Sequence, residues 1–323
     1  MKRIGVFTSG GDAPGMNACI RAAVRTALSR GLEVFGIYRG YQGMIEGDIV
    51  PMNSGDVSNI IQRGGTILKT ARSDDFRTEQ GRRKAAENLR KYGIEGLVCI
   101  GGDGSFKGAS ILYEEHGIKT IGAPGTIDND LYGTDSTIGY DTAVNTVVQA
   151  VDKLRDTAAS HNRLFIVEVM GRDAGFIALR SGIACGAEAI LVPETPTYID
   201  ALIQKLRDGW NRQKHSSIVI VAEGDESGGA YEVAKAVKQN FDRYDVRVTV
   251  LGHIQRGGSP SAYDRVLASE MGYAAVEGLL DGKFNAMVGR QGREIVFVPF
   301  EKAIKHNKEL NKHLLQIAAT LSI

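Results

Sequence analysis

The chain has 323 residues, 39 Lys+Arg against 38 Asp+Glu for a net charge of +1, with 43% hydrophobic and 24% charged residues. That is about two domains at ~150 residues each, globular in composition, with no global field to draw nucleic acid or an anionic membrane. Cys19, Cys99 and Cys185 share no close spacing, which argues against a disulfide framework or a zinc site and leads us to expect a cytoplasmic protein.

In chain order, Arg3–Phe7 reads as a buried strand, too close to Met1 to leave room for a signal peptide's apolar stretch. It runs into the glycine turn Ser9-Gly10-Gly11-Asp12, and Pro14 then opens a helix carrying Met16, Ile20, Ala23, Val24, Ala27 and Leu28 at helical spacing. Glu33–Tyr38 is the next strand, which completes a βαβ unit. The pattern recurs at Gly96–Ile100, a second glycine turn, a helix over Ser105–Glu115 and a strand over Thr120–Ala123. Further strands are predicted at Leu164–Val169, Ala189–Val192, Ile218–Ala222 and Val246–Leu251, with helices at Tyr140–Thr157, Asp200–Gln213 and Ala262–Leu280. Near-continuous apolar strands separated by helices predict α/β architecture with parallel sheets covered on both faces. No apolar run approaches the ~18 residues of a membrane span.

Glycine is over-used, 40 residues in all, and two glycine turns fall where ligands bind in such sheets, past the carboxyl ends of strands. These are Ser9–Gly15 and Gly101-Gly102-Asp103-Gly104-Ser105. Glycine lets backbone N–H groups approach a ligand, and the following helix N-terminus favours an anion, so phosphate is the natural guest. A plain strand-to-helix turn is the alternative for either loop alone. No Walker A pattern is present, and Gly102-Asp103-Gly104 lacks the third glycine of a dinucleotide fingerprint because Gly108 comes one residue late. NAD is thereby weakened as a ligand. A carboxylate inside a phosphate cradle makes Asp103 a candidate magnesium contact.

Pro124-Gly125-Thr126-Ile127-Asp128-Asn129-Asp130 follows the next strand. In an extended segment Asp128 and Asp130 would point the same way and suit phosphoryl transfer, one taking the acceptor hydroxyl's proton. An Asx-type turn fits the same residues, and spacing alone leans to it. Arginines beside glycines, Arg172 and Arg256, suit phosphate. Arg72, Arg77, Arg82 and Arg83 either do the same or form a solvated helix face paired with Asp74 and Glu79. Arg21 and Arg25 stand opposite the first helix's apolar stripe, as solvated surface or an anion site.

Taken together, Thr8–Asn17, Gly101–Ser105, Pro124–Asp130, Met170-Gly171-Arg172 and Gly252–Pro260 resemble, in order and over essentially the whole chain, the bacterial ATP-dependent 6-phosphofructokinase family. The resemblance implies two Rossmann-like three-layer α/β/α domains with mostly parallel sheets. Residues 1–139 plus 255–305 would form an ATP-binding domain, and 140–254 plus 306–323 a fructose 6-phosphate-binding domain. It implies transfer from MgATP to the sugar's 1-hydroxyl, the committing step of glycolysis. Gly11, Arg72, Ser73, Gly102, Asp103, Gly104 and Ser105 would hold ATP, with Asp103 contacting Mg2+. Asp128 would be the base, and Thr126, Asp130 and Arg172 would position substrate or stabilise the moving phosphoryl group. Met170, Gly171, Glu223, His253 and Arg256 would line the sugar pocket, while Arg163 and Arg247 would reach a neighbouring subunit's 6-phosphate in a homotetramer. Pyrophosphate-using relatives carry Asp at the position of Gly104 and Lys at that of Gly125, so glycine at both favours ATP over the pyrophosphate alternative. Arg21, Arg25, Arg155, Gly186, Glu188, Arg212 and Lys214 match a site for ADP or phosphoenolpyruvate, Gly186 and Glu188 as its magnesium contacts. Ser54, Asn59, Arg212 and His215 depart from the family pattern there.

Overall fold

A computed structural model describes residues 1–159, 162–214, 216–306 and 308–321. The chain forms two compact units, Met1–Ile127 with Leu131–Thr142 and Arg256–Lys308, and Asp128–Asp130 with Ala143–Gln255 and Glu309–Ile323.

The chain runs through β1 (Arg3–Thr8), α1 (Met16–Ser29), β2 (Glu33–Ile37), α2 (Gly40–Glu46), β3 (Ile49–Met52), α3 (Glu79–Lys91), β4 (Gly96–Gly101), α4 (Asp103–His116) and β5 (Lys119–Pro124). It continues through α5 (Tyr140–Ala159), β6 (Arg163–Val169), α6 (Phe176–Ala184), β7 (Ala189–Leu191), α7 (Ile199–Asn211), β8 (Ser217–Ala222), α8 (Ala230–Asn240) and β9 (Asp245–Val250). The last elements are α9 (Ala262–Leu280), β10 (Ala286–Gln291), β11 (Glu294–Pro299), α10 (Phe300–Lys305) and α11 (Lys312–Leu321).

In the first unit seven strands form one sheet in the order β11-β10-β5-β4-β1-β2-β3. The five inner strands are parallel, as the buried, near-continuous apolar runs of β1, β2, β4 and β5 predict; the fifth, β10, is not among the predicted strands. Both edge strands run antiparallel, so the sheet is mostly and not wholly parallel, as expected. Their sequences alternate poorly: β3 carries Pro51, which an edge tolerates because a ladder donor is missing, and β11 is nowhere fully buried. The two-residue loop joining β10 to β11 puts Gly292 at φ +61°. One face packs Phe7, Met44, Leu89, Leu97, Phe106 and Phe300, the last two rings stacked at 5.0 Å. On α9, a Cβ at Gly272 would lie 2.6 Å from the Cys19 carbonyl of α1, so glycine permits that close helix crossing.

The second unit has a four-stranded parallel sheet, β7-β8-β6-β9. Leu164, Ile166, Val219 and Val221 pack under Leu202, Leu206, Val233 and Val237 of α7 and α8. The apolar periodicity of those helices buries them against the sheet.

Candidate functional site

In the first unit β1, β4 and β5 are adjacent and parallel, so the loops after them share one edge. The Ser9 N–H donates to the Ile100 carbonyl at 3.0 Å, and the Gly125 N–H to the Gly101 carbonyl at 2.9 Å. A Cβ at Gly101 would lie 2.6 Å from the Ser9 carbonyl, and Gly10 sits at φ +85°. Backbone crowding thus demands glycine at Gly101. Gly104 differs: it is exposed in the first turn of α4, and a Cβ there would meet nothing within 4 Å. Helix propensity disfavours glycine at such a place, so packing does not account for it.

Asp103 is the first residue of α4, after Gly102 in extended conformation, two residues earlier than the sequence predicts the helix to start. The carboxylate suits the positive end of the helix dipole by itself. Among the described residues no group of three or more His, Cys, Asp or Glu could hold a metal. A carboxylate at the head of a helix has the hard oxygen donors that fit a divalent cation with phosphate oxygens and water as its other ligands.

Two further segments join this edge. Arg256 donates from Nη1 to the Asp12 carbonyl at 3.3 Å, and its guanidinium covers Gly11, where a Cβ would lie 2.6 Å from Nη1. The irregular stretch around residues 63–69 is strapped down by Asn17, 1% exposed, whose Nδ2 donates to the Arg63 and Gly64 carbonyls. Asn17 Oδ1 accepts from the Ile67 N–H at 2.8 Å, and Thr8 Oγ1 donates to the Lys69 carbonyl. Ser73 Oγ donates to Gln42 Oε1 at 2.7 Å, Arg72 is exposed, and Thr126 is buried, its carbonyl accepting from Thr137 Oγ1. Arg82 is no solvated residue paired with Asp74 or Glu79: it forms a two-pronged ion pair with Glu115, leaving Asp74 to Arg77.

In the second unit charged side chains meet. Asp128 is buried, and Arg172 Nε stands 4.0 Å from its Oδ2. The Asp-Asn-Asp segment is not extended, because Asn129 takes φ +56°; Asp128 is buried while Asp130 is only partly so. The segment is bent, with Asn129 in the left-handed region, so the two carboxylates do not share one face of an extended strand. Glu223 Oε1 accepts from the N–H groups of Gly171 (3.2 Å) and Arg172 (2.7 Å), with Arg172 itself at φ +54°. A Cβ at Gly224 would lie 2.0 Å from the Arg172 carbonyl, so Glu223-Gly224 grips the turn that aims Arg172. Buried Gln255 accepts from the Met170 N–H, and His253 is exposed. Arg163 and Arg247 both contact Asp245.

The residues matching an effector site fall into two sets. On α1 of the first unit, Arg21 is half-buried and Arg25 exposed; Ser54 and Asn59 are exposed too. In the second unit Arg155 donates to the Cys185 and Gly186 carbonyls, and Lys214 Nζ lies 2.5 Å from buried Glu188. Arg212 ends α7. Burial pulls the Lys205 ammonium below its ordinary pKa, opposed by Glu188 and assisted by Lys214 and Arg212. His215 lies outside the described residues.

Sequence reasoning missed Asp264. Its Oδ1 accepts from the Gly139 N–H and its Oδ2 from the Thr142 N–H, capping the start of α5, while its own N–H donates to Ser261 Oγ. Ser261 three residues before Asp264 is a legible capping signal for α9. That the carboxylate serves a different helix is not legible. Burial pushes Asp264 up to about 6 despite the pull of its donors.

A phosphofructokinase family profile matches residues 3–279. The chain is 57% identical, over 100% of its length and 99% of the other's, to ATP-dependent 6-phosphofructokinase 2 of Bacteroides thetaiotaomicron. Among solved structures, phosphofructokinase from Saccharomyces cerevisiae aligns with a TM-score of 0.88 and 37% identity over 99% of this chain, which spans about half (47%) of the yeast chain. Pyrophosphate-dependent phosphofructokinase from Marinobacter aquaeolei aligns with a TM-score of 0.84 but 25% identity, over 97% of this chain and 86% of that one. With glycine-built loops at one sheet edge and such likeness over its full length, the chain belongs to the phosphofructokinase family.

Proposed function

We infer that this protein transfers the terminal phosphoryl group of ATP to the 1-hydroxyl of fructose 6-phosphate, giving ADP and fructose 1,6-bisphosphate. The full-length 57% identity to an ATP-dependent relative carries this reading. The likeness to a pyrophosphate-dependent structure is far weaker, at 25% identity. Gly104 supports the same choice of donor, since its missing side chain leaves open space that packing does not require.

In the mechanism we propose, backbone N–H groups around Gly11 and Gly102–Ser105 bind the nucleotide phosphates, with Arg72 and Ser73 as further contacts. Asp103 would hold a nucleotide-borne Mg2+, which when bound neutralises phosphate charge. Asp128 accepts the proton of the sugar's 1-hydroxyl as that oxygen attacks phosphorus. Arg172, aimed by Glu223, stabilises negative charge as it spreads over the phosphoryl oxygens, with Thr126 and Asp130 positioning the reactants. Met170, Gly171, Glu223, His253 and Arg256 hold the sugar, and Arg163 and Arg247 hold a 6-phosphate across the subunit boundary of a homotetramer. Arg21, Arg25, Arg155, Gly186, Glu188, Arg212 and Lys214 form the proposed site for ADP or phosphoenolpyruvate.

A coupled assay with fructose 6-phosphate and either ATP or pyrophosphate tests the reading. Turnover with ATP and little with pyrophosphate is expected; the reverse preference assigns the pyrophosphate reaction instead.

A further inference from the structure

Arg163 opens β6 and Asp245 opens β9, and the two are direct partners in the parallel ladder, with Arg247 two residues further along the same face of β9. A single carboxylate oxygen, Asp245 Oδ2, serves both cations: Arg163 Nε lies 3.3 Å from it, and Arg247 Nε and Nη2 lie 3.1 and 2.9 Å from it. Arg163 is further fixed by Nη1, which donates to Thr157 Oγ1 at 3.1 Å. The group is open to solvent, with the Asp245 side chain 45% and that of Arg247 56% exposed. Two guanidinium groups converging on one acceptor in an open place is the geometry with which arginine receives a phosphate.

We propose that Asp245 is a built-in counter-anion that sets the anion selectivity of the Arg163–Arg247 pair. The proposal rests on the reading that these arginines receive the 6-phosphate of the sugar. Two positive charges and one negative leave the group at +1. A weak or singly charged anion gains little by displacing the carboxylate, whereas a phosphate dianion brings more charge and more acceptor oxygens to the same two forks. Asp245 thus acts through the arginines as a positioning residue, at some cost in affinity and to the benefit of discrimination. The hydrogen bonds from Arg247 and then Arg163 hold the Asp245 carboxyl below its ordinary pKa, which keeps the competitor charged. Because the contacts are exposed, each is a small effect, and the pair sums to a several-fold one.

Steady-state kinetics of the full-length protein test this with Asp245→Asn and, separately, Arg247→Ala. The expected result for Asp245→Asn is a half-saturating fructose 6-phosphate concentration lowered roughly two- to tenfold, by loss of an exposed competitor. The change should fall on that constant and not on kcat, and nitrate, a singly charged anion, should become a stronger competitive inhibitor by a larger factor; an equal or smaller gain for nitrate overturns the selectivity proposal. An unchanged half-saturating concentration overturns the proposal. A raised one also overturns it, since the carboxylate would then only order the arginines. Arg247→Ala keeps the two levels separate: it should raise the half-saturating concentration about tenfold or more, as loss of a charge-assisted phosphate contact does. If it does not, the reading of the arginines fails, whatever Asp245→Asn shows. If it does while Asp245→Asn changes nothing, only the counter-anion proposal fails.

Discussion

The two units approach charge in opposite ways. At the loop edge of the first, glycines recur: Gly10, Gly11, Gly101, Gly102 and Gly104, with crowding at Gly11 and Gly101, open space at Gly104 and Asp103 at the head of α4. In the second, charged side chains gather, and each is held by another: Arg172 stands near Asp128, Glu223 grips the turn beneath Arg172, and Asp245 joins Arg163 to Arg247. A backbone cradle is rigid and indifferent to much of its ligand, which suits a polyphosphate. Charged side chains can be tuned one at a time, which suits a proton transfer and the recognition of a particular sugar phosphate. Substitutions should therefore fail differently in the two places.

The largest effect should come from the side-chain unit. Asp128→Ala is expected to lower kcat by ~10²–10⁴, the usual worth of a positioned general base. Sugar binding should remain within a few-fold because the lost interaction grows in the transition state. Stopped-flow or coupled kinetics with a separate binding titration would check it, and near-normal turnover would remove Asp128 from the role.

A backbone substitution should act on folding instead. Gly101→Ala drives a methyl to 2.6 Å from the Ser9 carbonyl, between two loops that cannot both yield. It should cost about 1–3 kcal/mol by overpacking, read by urea unfolding. An unaltered midpoint would mean that the edge is softer than its geometry implies.

The smallest effect sharpens the comparison inside the first unit, where Asp264 is a buried charged side chain among backbone-built features. Its folded-state pKa is raised to about 6 from 3.8, so between those values the folded protein binds more protons than the unfolded chain. Its contribution to stability therefore grows as pH falls, and is least favourable above 6. The stability difference between wild type and Asp264→Asn should move toward wild type by about 1 kcal/mol from pH 7 to pH 5. Movement in the other direction would contradict the burial argument.

The same contrast explains what could be read before the structure. Glycine turns after apolar strands are local in sequence, so the adjacent loops Ser9–Gly15 and Gly101–Ser105 were legible, and so were the inner parallel strands β1, β2, β4 and β5, though not β10. The side-chain pairs were not: 44 positions separate Asp128 from Arg172, and 82 separate Arg163 from Asp245. Only the sheet register and the turns bring them together. The resemblance to a family supplied roles for Arg172 and Glu223, but not that one grips the other's turn. Arg82 misled for the same reason, since its partner Glu115 sits on α4 and not among its near neighbours. The antiparallel edges escaped because strands at a rim carry weak apolar patterns.

Gly104→Asp tests most directly whether the bare backbone of the first unit is there for a nucleotide. A Cβ at that place meets nothing within 4 Å, and the helix start favours Asp over Gly, so the variant should fold with an unfolding midpoint no lower than the wild type's. Asp there would put a second carboxylate where phosphate is to lie, and kcat/KM for ATP should fall by about 100-fold or more, the scale of a lost electrostatic contact in a transition state. Sugar affinity should stay within a few-fold. A folded variant that uses ATP at the wild-type rate would contradict the account.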